Sequence, residues 1–218
     1  SELRAHGLEP ARRILLLGPP GTGKTMTASV LATELAVPLL AVRLDGLLTK
    51  FMGETAAKLR LVFDAMAETR GVYLFDEVDA LAGTREATND VGEIRRVLNS
   101  FLQFLEQDHS DSIVVATSNL PQLLDRALFR RFDMTVHYGL PTVPVAVKVI
   151  RGRLAAFDTG AIIKSDWSAI GQATKGLNHA EISAAARQAA KEAVLEGSTK
   201  VSSETLIAAL HERRTLHS

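Results

Sequence analysis

An apolar run, Ile14–Leu17, leads directly into Gly18-Pro19-Pro20-Gly21-Thr22-Gly23-Lys24-Thr25, and a helical pattern follows over Thr25–Leu35. A strand, a loop of the form G-x-x-x-x-G-K-T and a helix, in that order, leave few folds open to the chain. Glycines let backbone N–H groups curl around an anion without Cβ clashes. The helix N-terminus adds unpaired donors and the positive end of its dipole. The motif predicts a polyphosphate site, with Gly18 through Thr25, and Met26 next on the helix, as candidate nucleotide contacts. Lys24 is expected to reach the β- and γ-phosphates and the Thr25 hydroxyl to ligate Mg²⁺. A plain Gly-rich turn before a helix is the bland alternative, and the full motif in this setting weighs against it.

Four more short apolar runs, Leu39–Leu44, Val72–Phe75, Ile113–Ala116 and Met134–Tyr138, read as buried strands. Helical stretches lie between them, such as Glu54–Arg70, where Leu59, Val62, Phe63 and Met66 share one face. This alternation predicts an α/β fold in which helices sandwich a parallel sheet. Beyond Pro141 and Pro144 no strand pattern follows, and Val145–Phe157, His179–Leu195 and Ser203–Arg213 read as helices. Ser202 or Ser203 supplies a cap for the last of these, with Glu204 favourably placed in its first turn. The expected organisation is a nucleotide-binding α/β domain over residues 1–140 and a small all-helical lid domain over 141–218.

The strand Val72–Phe75 ends in Asp76 and Glu77. In a parallel sheet its C-terminal end faces the same crevice as the phosphate loop. Asp76 is then a candidate Mg²⁺ ligand, directly or through water, and Glu77 a candidate general base for the attacking water. Solvated acids after a strand are the alternative. Thr117-Ser118-Asn119 closes the strand Ile113–Ala116; Asn119 could hold the γ-phosphate and lytic water together, although Ser-Asn also reads as a turn.

Lys+Arg and Asp+Glu number 25 each in 218 residues, 46% of them hydrophobic. Such a chain can bury a core, and its neutrality disfavours a nucleic-acid partner, which rewards a basic excess. The absence of cysteine excludes disulfides, thiolate metal sites and cysteine nucleophiles, and suits a reducing cytoplasmic compartment. No run approaches the ~20 apolar residues of a membrane span. The chain opens on Ser1 without a charged-then-apolar leader pattern.

The order of these motifs, about 50 residues from Lys24 to Asp76 and about 40 onward to Asn119, resembles the AAA+ superfamily, and specifically the AAA clade that includes spastin, katanin and FtsH-type ATPases. Phe75-Asp76-Glu77-Val78-Asp79-Ala80-Leu81 resembles the clade's second nucleotide motif, and Asn119 falls at its sensor-1 position. The stretch Asn119–Asp133 resembles the second region of homology, whose arginines reach a neighbour's γ-phosphate. Arg130-Arg131-Phe132 is compact where many members have Arg-x-x-Gly-Arg-Phe, which leaves open whether Arg130 or Arg131 is the finger. A structural ion pair is the alternative for either. Gly176–Ile182 is similar to the sensor-2 segment, which implies that Gly176 and Ala180 line the adenine pocket. His179 departs from the usual glycine and stands open between a place near the nucleotide and a solvent-facing one. Lys50-Phe51-Met52 resembles pore loop 1, which grips a polypeptide in the ring channel; the alternative is that Phe51 is core. Thr84–Gly92 is a candidate second pore loop.

The resemblance implies ATP/ADP and Mg²⁺ as cofactors, a homo-oligomer in the form of a hexameric ring, and a protein or peptide substrate. Three readings follow: a Mg-ATPase that remodels, unfolds or translocates proteins, a nucleotide-switched module acting on DNA, and an ATP-binding scaffold without turnover. Neutral charge and Phe51-Met52 weigh against the second, and intact Glu77, Asn119 and Arg130/Arg131 against the third.

Overall fold

The computed structural model describes residues 2–44, 52–81 and 91–215. The chain divides into two compact units, Ser1–Gly18 with Lys24–Tyr138, and Pro19–Gly23 with Gly139–Ser218.

The first unit holds five parallel strands: β1 (Arg13–Leu17), β2 (Leu39–Val42), β3 (Val72–Phe75), β4 (Ile113–Ser118) and β5 (Met134–His137), in the order β2-β3-β4-β1-β5. Its helices are α1 (Glu2–Ala5), α2 (Lys24–Glu34), α3 (Met52–Glu68), α4 (Val91–Gln107) and the short α5 (Arg126–Phe129). Alternate strand residues feed opposite faces of the sheet. Leu15, Leu17, Tyr73, Phe75, Val114 and Ala116 pack with side chains of α3 and α4, while Leu16, Val72, Leu74 and Val115 pack on Ala28 and Ala32 of α2. Both faces are therefore covered, which is why these strands read as unbroken apolar runs. The α3/α4 side is aromatic. Phe75 stacks on Phe63 at 5.8 Å and meets Phe101 tilted at 5.0 Å, centroid to centroid, both within the range where rings attract beyond their burial.

Several boundaries differ from the sequence reading, most by one or two residues. β2 stops at Val42, two residues early, because its partner β3 has only four residues and the register pairs Leu39 with Val72 and Val42 with Phe75. β4 continues to Ser118, since Leu16 and Leu17 of β1 still offer partners to Thr117 and Ser118. Helix α4 fills a stretch the sequence reading leaves unassigned. Its Val97, Phe101 and Leu105 recur every fourth residue and are buried.

The second unit contains α6 (Val143–Arg153), α7 (Lys164–Ala173), α8 (His179–Leu195) and α9 (Ser203–Thr215). α6 begins two residues before the expected Val145 because Pro144 falls in the first helical turn, where no N–H is needed; it ends at Arg153. Ile150, Ile170, Ile182, Leu206 and Leu210 build the core around an alanine face of α8 that includes Ala185, Ala186 and Ala189. Ser202 rather than Ser203 caps α9, its Oγ accepting from the Thr205 N–H at 3.1 Å. Among the described residues no helix is long and apolar enough to cross a membrane.

Candidate nucleotide site

The phosphate loop leaves β1 through Gly18, whose φ of 144° and surroundings both demand glycine: a Cβ there would lie 2.3 Å from the Tyr138 carbonyl oxygen. Gly21 (φ 71°) is equally constrained, since its Cβ would meet the Asn178 side chain at 2.5 Å. Asn178 is the N-cap of α8, its Oδ1 accepting from the Glu181 N–H at 2.9 Å while Glu181 accepts in return from the Asn178 N–H. The Ala180 N–H, in the first turn of α8, donates to the Gly21 carbonyl at 3.0 Å. Inside the loop the buried Thr22 hydroxyl donates to the Pro19 carbonyl at 2.7 Å. Pro19, Pro20, Gly21, Thr25 and Met26 face solvent.

Lys24 opens α2 and is only 6% exposed. Its ammonium donates to the Gly18 carbonyl at 2.6 Å and to Asn119 Oδ1 at 2.7 Å. Burial pulls its pKa below the ordinary lysine value, against the opposing pull of Asp76, Asp79 and Glu77. The Thr25 hydroxyl points at Asp76, 3.2 Å from Oδ2. The other Asp76 oxygen accepts a short bond from the Thr117 hydroxyl.

Glu77 adopts a left-handed backbone (φ 56°), a conformation that costs a non-glycine residue about 1–3 kcal/mol. Its N–H donates to Thr117 Oγ1 at 3.0 Å, and its carboxylate accepts from Asn119 Nδ2 at 3.1 Å. The Asn119 N–H in turn donates to Asp79 at 3.1 Å. Lys24, Thr25, Asp76, Glu77 and Asn119 are thus joined in one connected polar cluster at the C-terminal ends of β1, β3 and β4. Thr117 and Asp79 hold its members in place; the sequence reading includes Asp79 in the second nucleotide motif and gives Thr117 no role. A Thr at the last residues of a buried strand, aimed at a carboxylate, was the available signal for the first.

The remaining candidates make no side-chain hydrogen bond to the members of this cluster among the described residues. Arg130, the C-cap of α5, is exposed and makes no side-chain hydrogen bond or ion pair among the described residues. Arg131 forms a short ion pair with Glu106 of α4, and its Nε is buried without an acceptor. Gly176 occupies a left-handed turn (φ 84°) with open space around its Cβ position. His179 is half-buried, its Nδ1 without a partner. Met52 is the first residue of α3; Lys50 and Phe51 lie outside the described residues, as does Thr84–Gly92 except Val91 and Gly92, which begin α4.

A polyphosphate fits the residues of the first unit: Gly18, where no Cβ could sit, the buried Lys24 ammonium and the N-terminus of α2. For a divalent cation the protein offers one carboxylate and one hydroxyl, Asp76 and Thr25. Among the described residues no cluster of three His, Asp or Glu could hold a metal ion alone, so phosphate oxygens and water would have to complete the shell.

A phosphate loop delivered by one strand of a parallel sheet, with an acidic pair ending a nearby strand, defines a phosphate-loop nucleotide hydrolase. The chain belongs to the AAA family: the model for the "ATPase family associated with various cellular activities (AAA)" matches residues 14–140, and the chain is an ATP hydrolase of that family. It is 34% identical over 211 residues to an uncharacterized AAA family ATPase, y4kL, of Sinorhizobium fredii, covering 97% of this chain and 63% of that protein. It is similar to the peroxisomal ATPase pex6 of Schizosaccharomyces pombe, 38% identical over 64% of this chain and 16% of that protein. It is 33% identical to the ATP-dependent zinc metalloprotease FtsH of Lancefieldella parvula over 92% of this chain and 32% of that protein. The chain thus spans less than two thirds of each of these relatives.

Proposed function

We propose that the chain is the motor module of a Mg-dependent ATPase that works as a homo-oligomeric ring, of hexameric form, and remodels, unfolds or translocates protein substrates inside the cell. Residues 1–140 serve as the nucleotide-binding domain and 141–218 as its lid. The observation that carries the reading is the linkage of Lys24 and Glu77 through the two ends of the Asn119 side chain. That linkage puts a phosphate-neutralising cation and a proton acceptor on one positioning amide.

In this reading the loop N–H groups and Lys24 hold the β- and γ-phosphates. Thr25 and Asp76 hold Mg²⁺, which when bound neutralises phosphate charge. Asn119 orients the attacking water and Glu77 takes its proton as the water oxygen bonds to the γ-phosphorus and ADP departs. Gly176 and Ala180 border the adenine. Arg130 is the finger offered to a neighbouring subunit, because it is exposed and has no side-chain partner among the described residues, and Arg131 is the helper, paired with Glu106. Lys50, Phe51 and Met52 grip the substrate. An ATP-dependent metalloprotease among the relatives supports a protein substrate.

The test is the ATPase rate per subunit against protein concentration, with oligomer size measured in parallel. A specific rate that climbs as oligomers form, and an Arg130→Ala chain that assembles but does not turn over, are expected. A rate independent of concentration and indifferent to both arginines would remove the shared active site.

A further inference from the structure

In the helical unit, α8 ends with two apolar side chains in water: Val194 is 58% and Leu195 86% exposed. With Phe157 they floor an open groove of about 910 Å³, near the top of the ~300–1,000 Å³ range of ligand-sized pockets. Four cations line the same groove, Arg153, Arg187, Lys191 and Arg213, and no carboxylate does. In a chain of zero net charge that is a local imbalance.

These cations are largely unspent. Arg187 and Lys191, one turn apart on α8, are exposed and make no side-chain hydrogen bond or ion pair among the described residues. Arg153 makes only a long contact with Ser183 at 3.4 Å. Arg213 donates to Gln188 at 3.3 Å, and its Nε has no acceptor. The neighbouring acids, Glu192 and Glu212, engage the Gln188 amide and not the four cations.

We propose that this groove docks an acidic amphipathic helix of a partner protein. Its apolar residues, one turn apart, would cover Phe157, Val194 and Leu195, and carboxylates on its flanks would pair with Arg187, Lys191 and Arg213. An apolar floor with a single-sign rim is the form of a partner-specific surface, in which the rim steers and selects. A single-stranded nucleic acid is a poorer fit because it needs aromatic platforms, and this floor is aliphatic apart from the half-buried Phe157. The inference does not depend on the nucleotide site.

Fluorescence anisotropy with labelled peptides of about sixteen residues, four helical turns, tests it. The probe carries Glu on one helical face and Leu on the other. Controls replace Glu by Lys or Leu by Ser, and oligo(dT) and phosphatidylserine vesicles are run beside them. Only the Glu/Leu peptide should bind, more weakly as salt rises. Arg187→Glu with Lys191→Glu, and separately Leu195→Ser, should each weaken it at least about tenfold with melting temperature unchanged. No binding, equal binding of either control peptide, preference for oligo(dT) or vesicles, or indifference to the substitutions would overturn the proposal. So would concentration-dependent self-association abolished by Leu195→Ser, which would assign the groove to a second copy of this chain.

Discussion

Asn119 joins the ends of β4 and β3: its side-chain amide donates to the Glu77 carboxylate across 3.1 Å. The same side chain accepts from Lys24 through its oxygen. Glu77 is thereby held in place on a left-handed backbone that it would not adopt for preference.

Removing the acid without disturbing the cluster separates binding from chemistry. Glu77→Gln should retain ATP affinity and lose at least about 10²-fold in turnover, the scale of a positioned general base. Nucleotide titration alongside steady-state hydrolysis checks both. Equal activity in the variant would transfer the proton to another group.

Gly18→Ala tests the closeness of the loop to β5. The added methyl would sit 2.3 Å from the Tyr138 carbonyl, so the loop must shift or the strand end must part. A loss of about 1–3 kcal/mol in urea unfolding is expected, together with weakened nucleotide binding. Unchanged stability and affinity would mean that the loop tolerates a different path.

Asp133 gives a pH signature at the opposite end of β1. Burial works to raise its carboxyl, but the Arg12 and Arg13 N–H groups and the Arg13 guanidinium together hold it below the ordinary aspartate value of 3.8. A lowered folded pKa means that its stabilisation is complete above 3.8 and fades as pH falls through the folded value. Asp133→Asn should therefore cost about 1–3 kcal/mol at neutral pH, and the gap to the parent should narrow in acid. Unfolding midpoints at pH 7 and near pH 3 measure it; a gap that ignores pH would mean that the charge contributes nothing.

The two arginines should separate by stability. Arg130 is exposed and makes no side-chain hydrogen bond or ion pair among the described residues, so Arg130→Ala should shift stability by no more than about 0.5 kcal/mol. Arg131→Ala breaks the ion pair with Glu106 and should destabilise more, an effect that Glu106→Ala should reproduce. Thermal melts of the three variants decide it. The opposite ranking would exchange the assignments of finger and anchor.

The legible parts of this chain were those in which local chemistry and tertiary role coincide. Lys24-Thr25 after Gly23 can be read because the anion itself dictates glycine, cation and hydroxyl in consecutive positions. Asp76 and Glu77 stand out only beside the phosphate loop, because acids ending an apolar strand read equally as solvated residues when taken alone. Thr117 is obscured: its hydroxyl matters only because β4 runs beside β3 and brings it to Asp76, a pairing between segments 41 residues apart. α4 was missed although Val97, Phe101 and Leu105 are helically spaced, because its first residues were grouped with the polar stretch before it. The ion pair of Arg131 with Glu106 and the groove beside Leu195 depend on how separate helices pack, which no single segment encodes.

Strand order also fixes how long the site lasts when the molecule breathes. β1, β3 and β4, whose ends carry the phosphate loop, the acid pair and Asn119, are the three interior strands; β2 and β5 are the edges. Interior ladders open only with the largest fluctuations, whereas edges fray in small ones. Amide protons on β2 and β5 should therefore exchange with solvent first, while those of Leu15, Leu74 and Val115 persist toward global unfolding. The polar cluster is anchored in the slowest-exchanging part of the sheet, so brief local openings can release an edge strand without dispersing Lys24, Asp76, Glu77 and Asn119.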